Sequence, residues 1–109
     1  MEKSTAVAVL SALAQETRLD IVRLLIQAGP DGLPAGQVGE RLGLPSATLA
    51  FHLKELKNAG LATVTRNGRS LIYAAGYTTM NALLSYLMEN CCGRPTPTIL
   101  PLQSPTRSC

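Results

Sequence analysis

Residues 44–75 read LPSATLAFHLKELKNAGLATVTRNGRSLIYAA, and this stretch decides the fold. Three leucines recur at positions i, i+4 and i+7 and give a helix one apolar stripe: Leu49, Leu53 and Leu56. Ser46 follows Pro45 and is a good N-cap residue, whereas Gly60 ends the apolar pattern. The sequence therefore predicts a helix over residues 46–59 with a mixed polar surface on its other face.

The second half of this stretch predicts two short strands joined by a tight turn. The dipeptide Asn67-Gly68 tolerates the positive φ that a tight hairpin requires. Arg66 and Arg69 flank that dipeptide. The hairpin is therefore expected to carry two cations at its tip.

Apolar residues at helical spacing predict further helices on both sides of this stretch. The expected ranges are 4–14, 16–28, Ala35–Leu42 and 79–90. Pro34 and Gly43 bracket the short helix between them, in keeping with the preference for Pro at a helix start and Gly just past its end. A Gly-Pro-Asp-Gly turn over residues 29–32 separates it from the helix before.

Length and composition indicate one mainly helical domain. The chain has 109 residues, of which 46% are hydrophobic, with no Trp and one Phe, so its core must be built from aliphatic side chains. A domain of this size is marginal alone, and a partner subunit would stabilise it. Residues 1–92 are expected to form the domain. Residues 93–109 are expected to form a proline-rich tail that carries Cys109.

Positive charge is concentrated in the middle of the chain. The net charge is +3, and residues 46–73 hold four cations against Glu55 alone: Lys54, Lys57, Arg66 and Arg69. A local basic cluster is typical of a surface that meets phosphates. The charge pattern therefore favours a nucleic-acid partner.

The amino-terminal residues also resemble a secretory signal, with Lys3 followed by an apolar stretch over residues 6–10. Glu2 cancels Lys3, and the apolar residues fit the buried stripe of a first helix equally well. An odd number of cysteines favours a reduced cytoplasmic protein over a disulfide framework. No apolar run approaches the roughly 20 residues that span a bilayer, so no membrane partner is expected.

The predicted order of elements is that of a winged helix-turn-helix, a mainly α fold with a small β-hairpin. In this arrangement the helix over 46–59 enters the major groove of double-stranded DNA, and the hairpin tip reaches phosphates or the minor groove. Eight residues form the predicted DNA-binding set: Ser46, Thr48, Phe51, His52, Lys54, Arg66, Asn67 and Arg69. The alternative is a solvated helix and hairpin without a nucleic-acid partner, and we favour DNA binding.

Two stretches carry a resemblance to a known family. LAQETRLDIVRLL (residues 13–25) followed by residues 44–75 resembles the ArsR/SmtB family of metalloregulatory repressors, over residues 10–87. The resemblance implies a winged-helix homodimer formed through the first and last helices, which leaves operator DNA when a metal or metalloid binds. It also implies that the protein is not an enzyme. In two places the sequence departs from relatives: GQVGERLG in the third helix lacks the thiols of some arsenic sensors, and Ala50 stands where many relatives have Ser.

The stretch ENCCGR, residues 89–94, carries a further resemblance. Other arsenic sensors of the family place two adjacent cysteines at the end of the last helix and a third one downstream, and Cys91, Cys92 and Cys109 resemble that plan. Trivalent arsenic is soft and suits thiolates, so the resemblance implies As(III) as the inducer, with Sb(III) as a second candidate. The expected function is repression of a metalloid resistance operon. His52 is left off this ligand set because it is assigned to the DNA face.

Other interpretations of the thiols remain open. Cys91 and Cys92 could hold methylated arsenite as a two-thiol site, respond to oxidation through a vicinal disulfide, or be buried apolar residues. Zinc or cadmium could use the same thiols, although structural zinc normally takes four ligands. A function of a different class, a thiol metal carrier or oxidoreductase, would leave the helix-turn-helix order unexplained.

Overall fold

The computed structural model describes residues 1–93, and within them the chain forms five α-helices and three β-strands. In chain order the elements are α1 (Lys3–Leu13), α2 (Glu16–Ala28), β1 (Leu33–Pro34), α3 (Ala35–Leu42), α4 (Ser46–Asn58), β2 (Ala62–Asn67), β3 (Ser70–Ala75) and α5 (Tyr77–Met88). A short 3₁₀ turn, Cys91–Gly93, follows α5. The predicted tail beyond Gly93, including Cys109, lies outside the described residues.

The predicted helices are present, and their ends differ from prediction at three places. α1 begins and ends one residue earlier than expected. α5 begins and ends two residues earlier, because Gly76 is its N-cap and Asn90 has a φ of 58°, outside the helical region. α4 ends at Asn58, one residue earlier than expected, and it begins at Ser46 with Pro45 as its N-cap, so the N-cap role predicted for Ser46 is wrong. None of the helices within residues 1–93 is long and apolar enough to cross a bilayer.

The hairpin is the larger part of a three-stranded antiparallel sheet with strand order β1-β3-β2. β1 contributes two residues, and Leu33 lies opposite Tyr73. The strand β1 was not predicted, because a two-residue strand exists only through its pairing with a distant one. The sheet therefore joins the start of α3 to the hairpin.

The tip of the hairpin is one residue later than predicted. Asn67 pairs with Ser70, which leaves Gly68 and Arg69 as the two central residues of the turn. Gly68 has a φ of 66°, and a positive φ at the first central residue is typical of a type II′ turn, which prefers Gly there. Asn67 belongs to β2, so its predicted place in the turn is corrected.

The core lies where α1, α2, α4 and the strand β2 meet. Its fully buried side chains include Ile21, Leu25, Leu56 and Leu61. α1 contributes Ala6 and Val9, each 2% exposed, so the amino-terminal apolar stretch belongs to the folded domain. Burying such side chains contributes about 1.5–3 kcal/mol each before cavity effects. The core therefore fixes the orientation of α4, the helix on which the candidate site lies.

Candidate nucleic-acid interface and thiol pair

α4 has two opposed faces that follow from a 3.6-residue period. The inward face is buried and lies at i, i+3, i+4 and i+7: Leu49, His52, Leu53 and Leu56. The outward face is exposed and carries Ala47, Ala50, Phe51, Lys54 and Asn58. Ser46 and Thr48, near the helix start, are also exposed. Helix α4 therefore presents an accessible surface with the geometry that a recognition helix requires.

His52 belongs to the inward face, which corrects its predicted place among the DNA-binding residues. The side chain is 8% exposed. A guanidinium nitrogen of Arg18 lies 3.4 Å from its Nδ1, and the ring of Phe51 meets its edge at a centroid distance of 5.3 Å. The physical reason is spacing: position 52 falls between Leu49 and Leu56 on the apolar stripe, whatever the polarity of its side chain. The burial of His52 sets it apart from the other seven predicted DNA-binding residues, all of which are exposed.

Arg18 joins three helices, a role that sequence reasoning missed. Its Nε donates to the carbonyl oxygen of Ala12 at 2.8 Å, near the end of α1. The same guanidinium contacts His52 on α4, while the backbone NH of Arg18 donates to the side chain of Gln15 at the start of α2. The planar fork of an arginine can hold two acceptors at once. Arg18 thus connects α1 to the inward face of α4.

The wing, defined as β2, β3 and the turn between them, carries the other predicted DNA-binding residues. Arg66, Asn67 and Arg69 are all exposed at its tip. α4 packs against β2, so the wing lies beside the recognition helix. Together with Lys54 and Lys57 on α4, the wing arginines form an exposed basic surface, opposed within residues 46–73 only by the half-buried Glu55.

The thiol pair, Cys91 and Cys92, lies directly after α5. Their Sγ atoms are 3.5 Å apart. Adjacent side chains of an extended chain point to opposite sides, but here the chain curls: φ is 58° at Asn90, 59° at Cys92 and 77° at Gly93. Cys91 is half-buried and Cys92 is exposed. The left-handed turn therefore brings both sulfurs to one accessible side.

The ligand set of a metal site is not complete within the described part of the chain. Among residues 1–93 no group of three or more His, Cys, Asp or Glu side chains could hold a metal ion. The third predicted ligand, Cys109, lies outside those residues. The described residues can thus supply at most two neighbouring sulfur ligands.

Comparison with protein families places the same segment in a DNA-binding class. Residues 13–65 match a family model described as a helix-turn-helix domain. The matched range begins at the end of α1 and includes α2, β1, α3, α4 and four of the six residues of β2. It therefore contains the outward face of α4 that the geometry singles out.

Comparison with individual proteins gives the same class. The chain is 31% identical over 81 residues to an uncharacterized HTH-type transcriptional regulator, YceK, of Bacillus subtilis, covering 74% of this chain and 80% of the relative. The solved structure of HlyU from Vibrio cholerae is 31% identical with a TM-score of 0.66, over 84% of this chain and 99% of that one. An ArsR-like transcriptional regulator from Rhodococcus is 28% identical with a TM-score of 0.68, over 77% and 76% of the two chains.

Proposed function

The chain belongs to the winged helix-turn-helix transcriptional regulators, and from this premise we propose that it is an ArsR-type repressor released from operator DNA by trivalent arsenic. The proposed inducer binds the thiolates of Cys91 and Cys92, with Cys109 as third ligand and Sb(III) as a second soft inducer. The proposed target is the operator of a metalloid resistance operon, and the proposed location of the protein is the cytoplasm. The observation that carries the inducer site is the 3.5 Å separation of the two Sγ atoms.

The DNA-binding part of the proposal is supported by the shape and charge of one surface. A helix with an exposed face, such as α4, can enter a major groove, and the exposed hydroxyls of Ser46 and Thr48 near its N-terminus would bond to phosphate. Arg66 and Arg69 at the wing tip extend the positive charge beyond the helix. Phosphate contacts of this kind supply affinity and orientation without reading sequence.

A homodimer is proposed from the apolar side chains that α1 and α5 leave exposed. Val7 and Leu10 on α1 are 56% and 41% exposed, and Leu87 on α5 is 54% exposed. Two helices of one small domain seldom expose such residues together unless another surface covers them. A second copy meeting these helices would bury them. It would also present two α4 helices to successive half-sites about 34–36 Å apart.

The spacing of the two sulfurs suits one soft ion. One ion can be held by two thiolates only when the sulfurs lie within about 4.6 Å, twice a metal–thiolate distance of about 2.3 Å. The observed 3.5 Å between the Sγ atoms of Cys91 and Cys92 is inside that limit. Cys91 and Cys92 would hold the ion, which would tie the two thiolates together. The pair can therefore chelate without a large rearrangement of the turn.

Release is proposed to pass from the thiol pair to the recognition helices through the dimer interface. The turn that holds Cys91 and Cys92 follows the end of α5 after only Glu89 and Asn90. A shift of α5 against its partner would also move α1, whose Ala12 carbonyl is tied through Arg18 to His52 on α4. Coupling free energies of about 1–3 kcal/mol change DNA affinity by up to roughly 150-fold. A small change in the pose of α4 is thus enough for release.

The experiment that tests this proposal follows operator binding by fluorescence anisotropy with arsenite and reductant present. The probe is a duplex selected by the protein from a random pool. The Cys91→Ser/Cys92→Ser double variant should bind the duplex as the wild type does and should not dissociate with arsenite. Glu89→Gln is the matched control beside the pair, and it should bind and dissociate normally. Arsenite release that persists in the double variant contradicts the thiol site.

Cys109→Ser then separates two forms of the site. Loss of release in this variant indicates a third sulfur ligand. Retained release indicates a two-thiol site at Cys91 and Cys92, the form that suits methylated arsenite.

A second candidate signal, thiol oxidation, is favoured by one observation. The Sγ atoms of Cys91 and Cys92 lie 3.5 Å apart on one accessible side of the turn, where an oxidant can reach both. In this alternative, an oxidant in the absence of arsenite releases the duplex, and dithiothreitol restores binding. Release by oxidant alone, with no response to arsenite under reducing conditions, would replace the metalloid by a redox signal.

A further inference from the structure

The part of α4 that faces outward near its start is apolar. At about 100° per residue, Ala47, Ala50, Phe51 and Lys54 fall within an arc of about 100° on the helix. The first three of these have no polar side-chain atom, and all are exposed. The N-terminal part of a recognition helix is the part that contacts base edges. The base-reading region of this helix is therefore apolar.

Phe51 is the largest group in that region and the single phenylalanine of the chain. Its side chain is 56% exposed. The ring stands edge-on to His52 at 62°, and His52 is itself held by Arg18, so the ring is supported from the inward face. An exposed aromatic ring on an otherwise well-packed helix costs hydration free energy unless a partner covers it. The exposed cations on α4 and on the wing indicate the chemistry of that partner.

The cations on the same helix face and on the adjacent wing match a nucleic acid. Lys54 lies one turn further along the outward face, and Arg66 and Arg69 are exposed on the neighbouring wing. These cations suit the phosphates that border a major groove. Residues 46–51 read SATLAF and contain no Arg, Lys, Asn or Gln, the side chains that make bidentate hydrogen bonds to guanine or adenine. Ser46 and Thr48 can hydrogen-bond to either type of base and so discriminate weakly, and apolar contact is the selective mode that this stretch offers.

We propose that Phe51, flanked by Ala47 and Ala50, reads the C5-methyl groups of thymine in the major groove. Among the four bases only thymine presents a methyl group there, and Ala and Phe side chains contact it favourably. The preferred half-site therefore carries thymine where the ring of Phe51 lies, and its sequence is recognised by shape and apolar contact. This inference rests on the proposed DNA-binding function and specifies how that function selects its site.

The expected effect is measurable because the methyl group can be removed alone. Uracil pairs as thymine does and lacks the C5-methyl. Burying one methyl-sized apolar group changes affinity about fourfold. In a dimer with two equivalent half-sites, replacing the contacted thymine in both weakens binding about 15-fold.

The experiment uses the full chain, reduced, and a duplex selected from a random pool. Each thymine of the selected duplex is replaced in turn by uracil, symmetrically in both half-sites, and anisotropy gives the affinity at fixed salt. We expect one or two positions at which the wild type loses about 15-fold. The Phe51→Ala variant should bind the thymine duplex more weakly and should not distinguish it from the uracil duplex. Phe51→Leu, which keeps an apolar side chain, should retain part of the discrimination.

Lys54→Ala is the control for the phosphate contacts on the same helix face. This variant should bind both duplexes more weakly and keep the wild-type ratio between them. Equal affinity of the wild type for thymine and uracil at every position overturns the inference while leaving DNA binding intact. Discrimination that survives in Phe51→Ala overturns it as well. A protein that enriches no duplex at all refutes the proposed function itself, which is a separate result.

Discussion

The two faces of α4 differ in what their side chains do, although they alternate along the same thirteen residues. The inward face holds Leu53 and Leu56, which are 2% and 0% exposed and part of the core. The outward face holds Phe51 and Lys54, which contribute little to the fold because solvent already surrounds them. The inward face therefore determines whether the helix forms, and the outward face determines what it binds.

His52 shows that position on the helix outweighs residue type. A polar ring capable of hydrogen bonding to a base lies instead on the inward face, with Nδ1 3.4 Å from Arg18. That geometry gives His52 a partner within the protein, which a buried polar group requires. The same three-residue spacing that puts Leu49 in the core puts His52 there. The two faces therefore cannot be assigned from polarity alone.

The largest effect is expected from truncating the inward face. Leu56→Ala should lower the free energy of unfolding by about 2–5 kcal/mol, because it removes buried methyl groups and leaves a cavity. Chemical denaturation followed by circular dichroism measures this loss. Phe51→Ala is the matched control on the outward face and should change stability by less than about 0.5 kcal/mol. Equal losses in the two variants would show that the faces do not differ as described.

A smaller effect is expected at the link between α1 and α4. Arg18→Ala leaves the Ala12 carbonyl without its 2.8 Å hydrogen bond and His52 without its guanidinium partner. Unpaired groups of this kind cost about 1–3 kcal/mol when buried, and the lower end applies here because Arg18 is half-buried. Thermal unfolding measures the change. Arg23 is exposed on the same helix, and Arg23→Ala is the control. If Arg18→Ala is as stable as the control, then Arg18 does not connect α1 to α4 as described.

The sequence predicted those parts of the fold that have local causes. The bounds of α3 were predicted as Ala35–Leu42 and confirmed, because Pro34 and Gly43 mark its two ends and Gly43 adopts a φ of 65°. The winged helix-turn-helix order was also confirmed. β1 could not be predicted, because Leu33 and Pro34 are a strand only through pairing with β3, about forty residues later.

The candidate site was predicted in part for similar reasons. The exposed positions on the wing and the outward face of α4 follow from the alternation of apolar and polar residues. Ala47 and Ala50 were missed because small apolar residues carry no evident chemistry in a sequence. The close approach of Cys91 and Cys92 depends on a positive φ at Asn90 and at Cys92 itself. Asn adopts that conformation more often than other non-glycine residues, so Asn90 is a weak signal for the turn, whereas nothing in the sequence marks Cys92 for it. The roles of the cysteines in binding stay predictions.

The smallest effect on stability is expected from Lys54→Ala, which is also the sharpest test of the outward face. Stability should change by less than about 0.5 kcal/mol, because Lys54 is exposed. Each phosphate contact contributes about 0.9 to the slope of log affinity against log salt concentration. A dimer that loses one contact per subunit should therefore show a slope shallower by about 1.8. Lys3→Ala on α1, a lysine outside the basic surface, should leave the slope unchanged. An unaltered slope in Lys54→Ala would mean that phosphates are met elsewhere, and that the outward face of α4 does not lie along the groove.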